Sequence, residues 1–340
     1  MSVTFETRSI KGAVASLRER RLRRGSIRHR GKRIQIALVN NMPDSALAAT
    51  QRQFGSLLEE SAGDLDVQLS LWTLETLERG AETLQDIAMT YRPARELRAS
   101  RQDAVIITGA EPRASDLRDE PYWSELTELI DWAENRTVST LLSCLAAHAA
   151  VRHWDGIGRR RLATKCSGVF ATHVVARHEL TEGFGPGAAT PHSRFNGLDE
   201  CELSAKGYLT LTRSAEAGVD MFAKDSRSLL VFLQGHPEYD ADTLAREYRR
   251  DALRFLRGER PAPPMPPAHY FTPELAARLR AYVDQAPMDS SSVFPSEALR
   301  VTAAPWRATS IKMFRNWLAL VARRKAALKK PSFATARWSG

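Results

Sequence analysis

Short apolar runs alternate with amphipathic helical segments along the first half of the chain. Four runs have the length and composition of buried strands: 34–40 (IQIALVN), 66–74 (DVQLSLWTL), 103–109 (DAVIITG) and 137–143 (TVSTLLS). Segments with apolar residues at helical spacing follow three of them: 46–61, where Ser45 is a candidate N-cap, 122–135 and 145–154. Strands that alternate with helices and are too apolar for one solvated face predict a mostly parallel sheet covered by helices on both faces.

The second half of the chain has more strand-like segments. Strand candidates are 168–175, 208–214, 219–225 and 228–234, and helix candidates are 241–256, 273–285 and 311–324. The pattern divides the chain into five parts: a basic, flexible N-terminal arm (1–33), an α/β domain (34–258), a proline-rich linker (259–271), a C-terminal helical appendage that packs on the core (272–325) and a basic tail (326–340).

Composition and charge narrow the class of protein. The formal charge of +9 is concentrated in 18–33 and 322–330, outside the predicted core, so solvated arms with at most non-specific nucleic-acid contact are favoured. No apolar run is long enough to cross a bilayer, and the N-terminal residues lack the apolar segment of a secretory signal, so neither a membrane span nor secretion is expected. Three cysteines without metal-like spacing predict a reducing, cytoplasmic compartment and no metal site.

Cys144 stands where a predicted strand ends and a predicted helix begins. Ligands of open α/β sheets bind outside the carboxyl ends of the strands, and a helix N-terminus stabilises negative charge. This placement suits a thiolate nucleophile, with the backbone N–H of Leu145 as an oxyanion donor. The alternative is packing, because free cysteine is among the most buried residue types.

His236 also follows an apolar strand directly. Glu238 lies two residues further on, so in an extended segment both side chains point to the same side and the carboxylate can orient the imidazole. Together with Cys144 they form a predicted Cys-His-Glu triad. His148 is a competing base four residues after the cysteine, but it lies one turn inside the helix and is interpreted as a helix-face polar residue.

Seven stretches identify a family resemblance over about residues 34–321. In chain order they are NNMPDSALAATQRQF (40–54), VIITGAEP with EPYW (105–112 and 120–123), STLLSCLAAHAA (139–150), TKCSGVF (164–170), TPHSRFN (190–196), GHPEYDADTLAREYRRD (235–251) and FRNWL (314–318). The chain resembles the homoserine O-acyltransferases of methionine biosynthesis, which are related to class I glutamine amidotransferases. The resemblance implies a glutamine amidotransferase-like or flavodoxin-like sheet.

The resemblance also implies a reaction and its residues. An acyl group would pass from acyl-CoA, a co-substrate, to Cys144 and then to the hydroxyl of L-homoserine, with no bound cofactor, in the first committed step of the pathway. His236 would be the general base and Glu238 its partner. Residues at substrate-contacting positions would be Lys165, Ser193 and Arg250, and an arginine suits the carboxylate of an amino acid. A homodimer is compatible with this interpretation.

The sequence departs from the family pattern at three positions. The family usually has an aromatic residue where Leu145 stands and a glutamine where His148 stands. At the position that selects the acyl group, succinyl enzymes usually have glycine and acetyl enzymes glutamate, whereas this chain has Arg113. Because an arginine attracts the free carboxylate of a succinyl group, succinyl-CoA is the predicted donor, with acetyl-CoA as the alternative.

Three other functions are compatible with the sequence. A glutamine amidotransferase-like or cysteine-hydrolase activity could use the same triad, with ammonia or water resolving the thioester. Acylation of a different amino-acid acceptor is a second alternative. A non-catalytic polyanion-binding protein would instead depend on the basic arm and tolerate loss of Cys144.

Overall fold

The structure is a computed structural model that describes residues 3–6, 32–285, 294–295 and 300–328. Its strands are β1 (Thr4–Glu6), β2 (Arg33–Val39), β3 (Asp66–Thr73), β4 (Arg92–Pro93), β5 (Ala104–Ile107), β6 (Ser139–Ser143), β7 (Arg160–Ala171), β8 (His173–Val174), β9 (Ala189–Gly197), β10 (Leu209–Ser214), β11 (Gly218–Asp225) and β12 (Leu229–Leu233). Its α-helices are α1 (Asp44–Ser61), α2 (Ala81–Thr90), α3 (Ala94–Leu97), α4 (Trp123–Arg136), α5 (Leu145–Asp155), α6 (Glu200–Ala205), α7 (Thr243–Leu256), α8 (Pro273–Gln285) and α9 (Arg307–Leu328). Short 3₁₀ turns lie at Leu117–Asp119 and Glu179–Thr181.

The main sheet has ten strands and is mostly parallel. Its order is β1-β3-β2-β5-β6-β12-β11-β10-β8, with β4 pairing beside β3. The neighbours from β1 to β12 pair in parallel, while β11, β10 and β8 extend one edge in antiparallel fashion. The predicted fold class is confirmed.

Helices cover both faces of this sheet because its strands are apolar on both. Along β2, Ile34, Ile36 and Leu38 face one core cluster, whereas Ala37 and Val39 face the other. Helices α1 and α9 pack in the first cluster, and α4 and α5 pack in the second. This alternation follows from the two-residue period of a strand.

The C-terminal helix α9 is part of the first core cluster. Phe314, Trp317 and Leu318 are fully buried there, and the indole N–H of Trp317 donates to the hydroxyl of Ser139 on β6 at 2.9 Å. Helix α8 packs separately, on α7. No helix within the described ranges is long and apolar enough to span a membrane.

A second, two-stranded sheet pairs β7 with β9 in antiparallel fashion. The proline-rich segment that follows α7 lies against β7. The backbone N–H of Ala268 donates to the carbonyl of Ser167 at 2.8 Å, and the N–H of Val169 donates to the carbonyl of Ala268 at 2.9 Å. A Cβ at Gly168 would lie 2.4 Å from the carbonyl oxygen of Ala268, so only glycine allows this approach.

Several local expectations differ from the structure. The predicted arm 1–33 contains β1, which pairs with β3; residues 7–31 and the tail beyond 328 lie outside the described residues. The candidate strand 168–175 divides between β7 and β8, which belong to different sheets. Ser45 is not the N-cap of α1, because the helix begins at Asp44 and its N-cap residue is Pro43. Strand β9 was missed because its sequence, ATPHSRFNG, contains proline and little apolar alternation.

Candidate active site

Cys144 lies in a sharp turn between β6 and α5. Its φ of 52° and ψ of −112° are a strained backbone conformation for a residue with a side chain, of the kind that exposes a nucleophile above a sheet. The backbone N–H of Cys144 donates to the carbonyl of Leu233 on β12 at 2.7 Å, which fixes the turn. The half-buried thiol lines a cavity of about 400 Å³, the reaction cavity.

The turn is held against the end of β5 by a close backbone approach at Gly109. A Cβ at this position would lie 2.6 Å from the Cβ of Leu145 and 2.9 Å from its backbone nitrogen. As the first residue of α5, Leu145 has an N–H with no acceptor inside the helix. Leu145 and Gly109 both line the reaction cavity, and the role of this N–H as an oxyanion donor stays a prediction.

His236 meets Cys144 because β12 is the parallel neighbour of β6. Ser143 pairs with Leu233 in register, so the residues after both strands reach the same sheet edge. The side chains of His236 and Cys144 are close enough to interact electrostatically, and Nδ1 of His236 lies 2.8 Å from Oε1 of Glu238. The structure thus brings the predicted triad together. Tyr239 stacks on the imidazole with ring centroids 4.3 Å apart.

Electrostatic forces at His236 oppose each other. Burial alone would lower the pKa of this imidazole, but the carboxylate of Glu238 and the side chain of Cys144 outweigh burial and raise the pKa well above its ordinary value of 6.5. The site therefore favours the protonated form of the imidazole. Glu238 is itself buried, and its Oε2 has no hydrogen-bond partner among the described residues.

The three predicted substrate-binding residues line the same cavity and share two carboxylates of α7. Lys165 donates to Asp251 at 3.0 Å and lies 3.7 Å from Glu247. The Ser193 hydroxyl donates to Glu247, and the Arg250 guanidinium lies 2.9 Å from Asp251. Cations and carboxylates on one wall match the charges of an α-amino acid.

The sequence analysis did not predict Glu247 and Asp251 as residues of the site. They lie at i and i+4 on α7 and flank Arg250, so the period of an amphipathic helix could have placed them on the same face. Tyr239 was also missed, although it directly follows Glu238; its hydroxyl donates to Glu247 at 2.7 Å. Arg159 and Arg161 also line the reaction cavity, and no sequence pattern distinguished them from other arginines.

The structure does not bring Arg113 into the reaction cavity. Its side chain is 74% exposed and ion-paired with Glu78, in a neighbouring cavity. Glu111, two residues earlier, lines the reaction cavity instead. The donor-selecting role of Arg113 stays a prediction, and it requires the side chain to leave Glu78.

His148 lies on α5 as a polar residue with a buried side chain. Its Nε2 lies 3.0 Å from Oε1 of Gln234. Burial lowers the pKa of His148 to about 3, so the imidazole is neutral. No cluster of three or more potential metal-ligating His, Cys, Asp or Glu side chains occurs in the part of the chain that the structure describes.

Comparison with known proteins shows the family to which the chain belongs. The sequence model of the family described as homoserine O-succinyltransferase matches residues 13–327. The chain belongs to this family. The family resemblance identified from the sequence is confirmed, and the protein is an acyltransferase of this family.

Two relatives and one solved structure illustrate the similarity. A homoserine O-succinyltransferase of Methylorubrum extorquens is 46% identical over 300 residues, which are 87% of this chain and 89% of the relative. One of Rhodopseudomonas palustris is 48% identical over 290 residues, 84% of this chain and 87% of the relative. The crystal structure of a glutamine amidotransferase from Thermotoga maritima matches with a TM-score of 0.47 at 11% identity, over 85% of this chain and 98% of that protein.

Proposed function

We propose that this member of the homoserine O-succinyltransferase family transfers a succinyl group from succinyl-CoA to the hydroxyl of L-homoserine through a thioester on Cys144. The observation that carries the proposal is the Cys144–His236–Glu238 arrangement, in which the imidazole interacts electrostatically with the side chain of Cys144 and lies 2.8 Å from the carboxylate. Family membership supports the choice of substrates.

In the first half-reaction, the thiolate of Cys144 attacks the thioester carbonyl of succinyl-CoA. The N–H of Leu145 donates to the oxyanion of the tetrahedral intermediate. The bond between the carbonyl carbon and the CoA sulfur then breaks, and protonated His236 gives its proton to the departing CoA thiolate. The products of this step are CoA and a succinyl-thioester on Cys144.

In the second half-reaction, the hydroxyl of homoserine gives its proton to neutral His236 while its oxygen attacks the thioester. The carbon–sulfur bond to Cys144 breaks, and the cysteine leaves as a thiolate. The product is O-succinylhomoserine, and protonated His236 again faces the thiolate. Glu238 acts through His236 as a positioning residue that holds the tautomer and stabilises the imidazolium.

The wall formed by α7 supports an amino-acid acceptor. Arg250 offers a planar guanidinium to the α-carboxylate, with Lys165 as a second cation, while Glu247 offers an oxygen to the α-ammonium. Asp251 orients both cations. Burial alone would raise the pKa of Asp251, but Lys165 and Arg250 outweigh it and lower that pKa, so this carboxylate stays ionised at neutral pH.

Acylation of the purified protein tests this proposal. The protein is incubated with succinyl-CoA or acetyl-CoA, with and without L-homoserine, while CoA release and the mass of the Cys144 peptide are followed. We expect a mass increase of one succinyl group on wild type and none on Cys144→Ala, and homoserine should remove it as O-succinylhomoserine. Release of free succinate at the same rate without homoserine would indicate a hydrolase and contradict the proposal.

Three further expectations accompany this function. A cytoplasmic location and a homodimer remain predictions, and contact with nucleic acid is expected to be non-specific. Light scattering coupled to size-exclusion chromatography measures the mass in solution, and a mass of about 38 kDa would contradict the dimer.

A further inference from the structure

A second cavity of about 500 Å³ adjoins the reaction cavity, and no step proposed so far uses it. We name it the outer cavity. The two cavities share five wall residues: Glu111, Arg161, Lys165, Phe195 and Arg250. A ligand with its reactive end at Cys144 can therefore extend past these residues into the outer cavity.

The outer cavity is positively charged. Its wall carries five cations, Arg161, Lys165, Arg250, Arg254 and Arg260, but only three carboxylates, Glu111, Asp251 and Glu259. Asp251 is shared by three of the cations, since Lys165, Arg250 and Arg260 lie 3.0, 2.9 and 3.2 Å from it. Lys165 has a second carboxylate, Glu247, at 3.7 Å, so two carboxylates face three cations and the wall keeps positive charge for an anionic ligand.

Arg161 contributes most to this surplus. Its guanidinium lies over the ring of Phe195, 4.6 Å from the centroid. Among the described residues no carboxylate lies within 4.0 Å of it, whereas Arg254 lies 3.7 Å from Glu259. An exposed guanidinium fixed by an aromatic ring and without an acidic partner is well placed to bind phosphate.

Apolar groups line the same cavity. Its outer wall is the segment 261–265 (PAPPM), the proline strap, which is anchored beyond its end by the backbone pairing of Ala268 with β7. Met265 on the strap and Phe195 on β9 are among the exposed large hydrophobic side chains, at 55% and 36%. A matching ligand therefore combines phosphate groups with an uncharged, partly apolar chain.

The other neighbouring cavity, of about 340 Å³, does not have this character. Its wall balances Arg79, Arg113 and Arg254 against Glu78, Glu111 and Glu120. Arg79 is paired with Asp44 and Arg113 with Glu78. The charge of the wall therefore distinguishes these two neighbouring cavities, and the outer cavity is the one that suits a polyanion.

We propose that the outer cavity binds the CoA part of the acyl donor. Its phosphates face Arg161, Arg254 and Arg260, and its pantetheine arm passes Phe195 and the proline strap towards Cys144. This inference rests on the proposed acyl transfer, because that function supplies the ligand. It assigns a binding role to a segment that the sequence predicted only as a linker.

Direct binding tests the inference without turnover. The full chain carrying Cys144→Ala is titrated with CoA, 3′-dephospho-CoA and pantetheine in a calorimeter. In this background we expect Arg161→Ala and Arg260→Gln each to weaken CoA binding by roughly tenfold or more and to leave pantetheine binding unchanged. Added salt should weaken the binding of CoA much more than that of pantetheine. Arg246→Ala is the matched control, because Arg246 pairs with Asp242 on the exposed side of α7, outside the wall of the outer cavity, and it should change neither affinity.

Two substitutions in the proline strap distinguish an effect of charge on CoA binding from an effect on folding. Ala262 is exposed on the proline strap, so Ala262→Glu and Ala262→Gln add side chains of equal size without disturbing a core. Only the glutamate should weaken CoA binding, by repelling the phosphates. No CoA binding to the Cys144→Ala protein, equal affinity in all variants, or equal loss of CoA and pantetheine binding would each overturn the inference.

The inference and the proposed function fail in different ways. S-succinylpantetheine carries the reactive thioester without the nucleotide. Suppose that wild type forms succinyl-Cys144 from S-succinylpantetheine while the arginine and strap substitutions leave the affinity for CoA unchanged. In that case only the assignment of the outer cavity to CoA is wrong. If neither thioester acylates Cys144, the proposed function fails, and the CoA titrations still decide whether the cavity binds CoA.

Discussion

The Nδ1 atom of His236 lies 2.8 Å from Oε1 of Glu238, within a buried pair that also contacts Cys144. Because Nδ1 is occupied by the carboxylate, Nε2 is the nitrogen left to exchange a proton with the thiol. We therefore expect the three side chains to act together in the proposed reaction.

Glu238→Gln should lower kcat by about 10²- to 10⁴-fold, because the amide cannot stabilise the imidazolium or fix its tautomer. Loss of the carboxylate also removes a cause of the raised pKa of His236, so the alkaline limb of the pH profile of kcat/KM, where the imidazolium loses its proton, should move to lower pH. Glu216→Gln is the matched control, because Glu216 lies 2.9 Å from Nε2 of His269 in an exposed pair. This substitution should leave kcat and the pH profile of kcat/KM unchanged. An unchanged pH profile in Glu238→Gln would remove the positioning role.

The same pair should make stability depend on pH. The pKa of His236 is raised in the folded protein, so its contribution to stability is fully present below the ordinary value of 6.5 and is lost as pH rises through the folded pKa. One group of this kind changes the free energy of unfolding by at most about 1.4 kcal/mol per pH unit. Urea unfolding of wild type and His236→Gln between pH 6 and 9 should show a difference in the free energy of unfolding that shrinks at the alkaline end. A constant difference would contradict the raised pKa.

Gly109→Ala should impair the site itself. The new methyl group would lie 2.6 Å from the Cβ of Leu145 and 2.9 Å from its nitrogen, so the oxyanion donor must move. We expect kcat to fall about 10²- to 10³-fold, as for loss of an oxyanion donor, and the free energy of unfolding to fall by about 1–3 kcal/mol. Gly158→Ala serves as the control, because nothing lies within 4 Å of its added Cβ. If Gly109→Ala keeps the kcat of wild type, the close approach of Gly109 to Leu145 is excluded.

Trp317→Ala measures how far α9 belongs to the folding unit. The side chain is 0% exposed in the first core cluster and its indole donates to Ser139, so the free energy of unfolding should fall by about 3–5 kcal/mol. Arg315→Ala, on the exposed side of α9, should change it by less than about 0.5 kcal/mol. If urea melts coincide for Trp317→Ala and wild type, α9 contributes little to the core.

Arg113→Gly tests the donor role predicted from the family alignment. If the guanidinium leaves Glu78 to bind the distal carboxylate, KM for succinyl-CoA should rise roughly tenfold while KM for acetyl-CoA stays unchanged. Glu78→Gln frees the guanidinium and should not raise either KM. The same ratio of kcat/KM for the two donors in wild type and Arg113→Gly would leave the exposed ion pair as the only role of Arg113.

Most of the sheet could be predicted because its strands are continuous apolar runs, which need no tertiary information to be recognised. The triad could be predicted because Cys144 and His236 each follow such a run, and strand ends are where α/β sheets bind ligands. By contrast, β9 and β1 have weak apolar patterns and exist through their partners β7 and β3. The placement of Arg113 beside Glu78 could not be predicted, because a flexible charged side chain takes its direction from distant neighbours.

The sequence by itself determined the strand and helix periods, the family and the residues that stand at strand ends, since these depend on local composition and spacing. Only the tertiary structure decided that β12 lies next to β6, which brings His236 to Cys144, and that Asp251 gathers Lys165, Arg250 and Arg260. It also decided that the proline strap lies against β7 and forms a cavity wall. The physical reason is that strand neighbours and ion pairs are contacts between residues far apart in the chain, and local spacing does not specify which of many similar partners will meet.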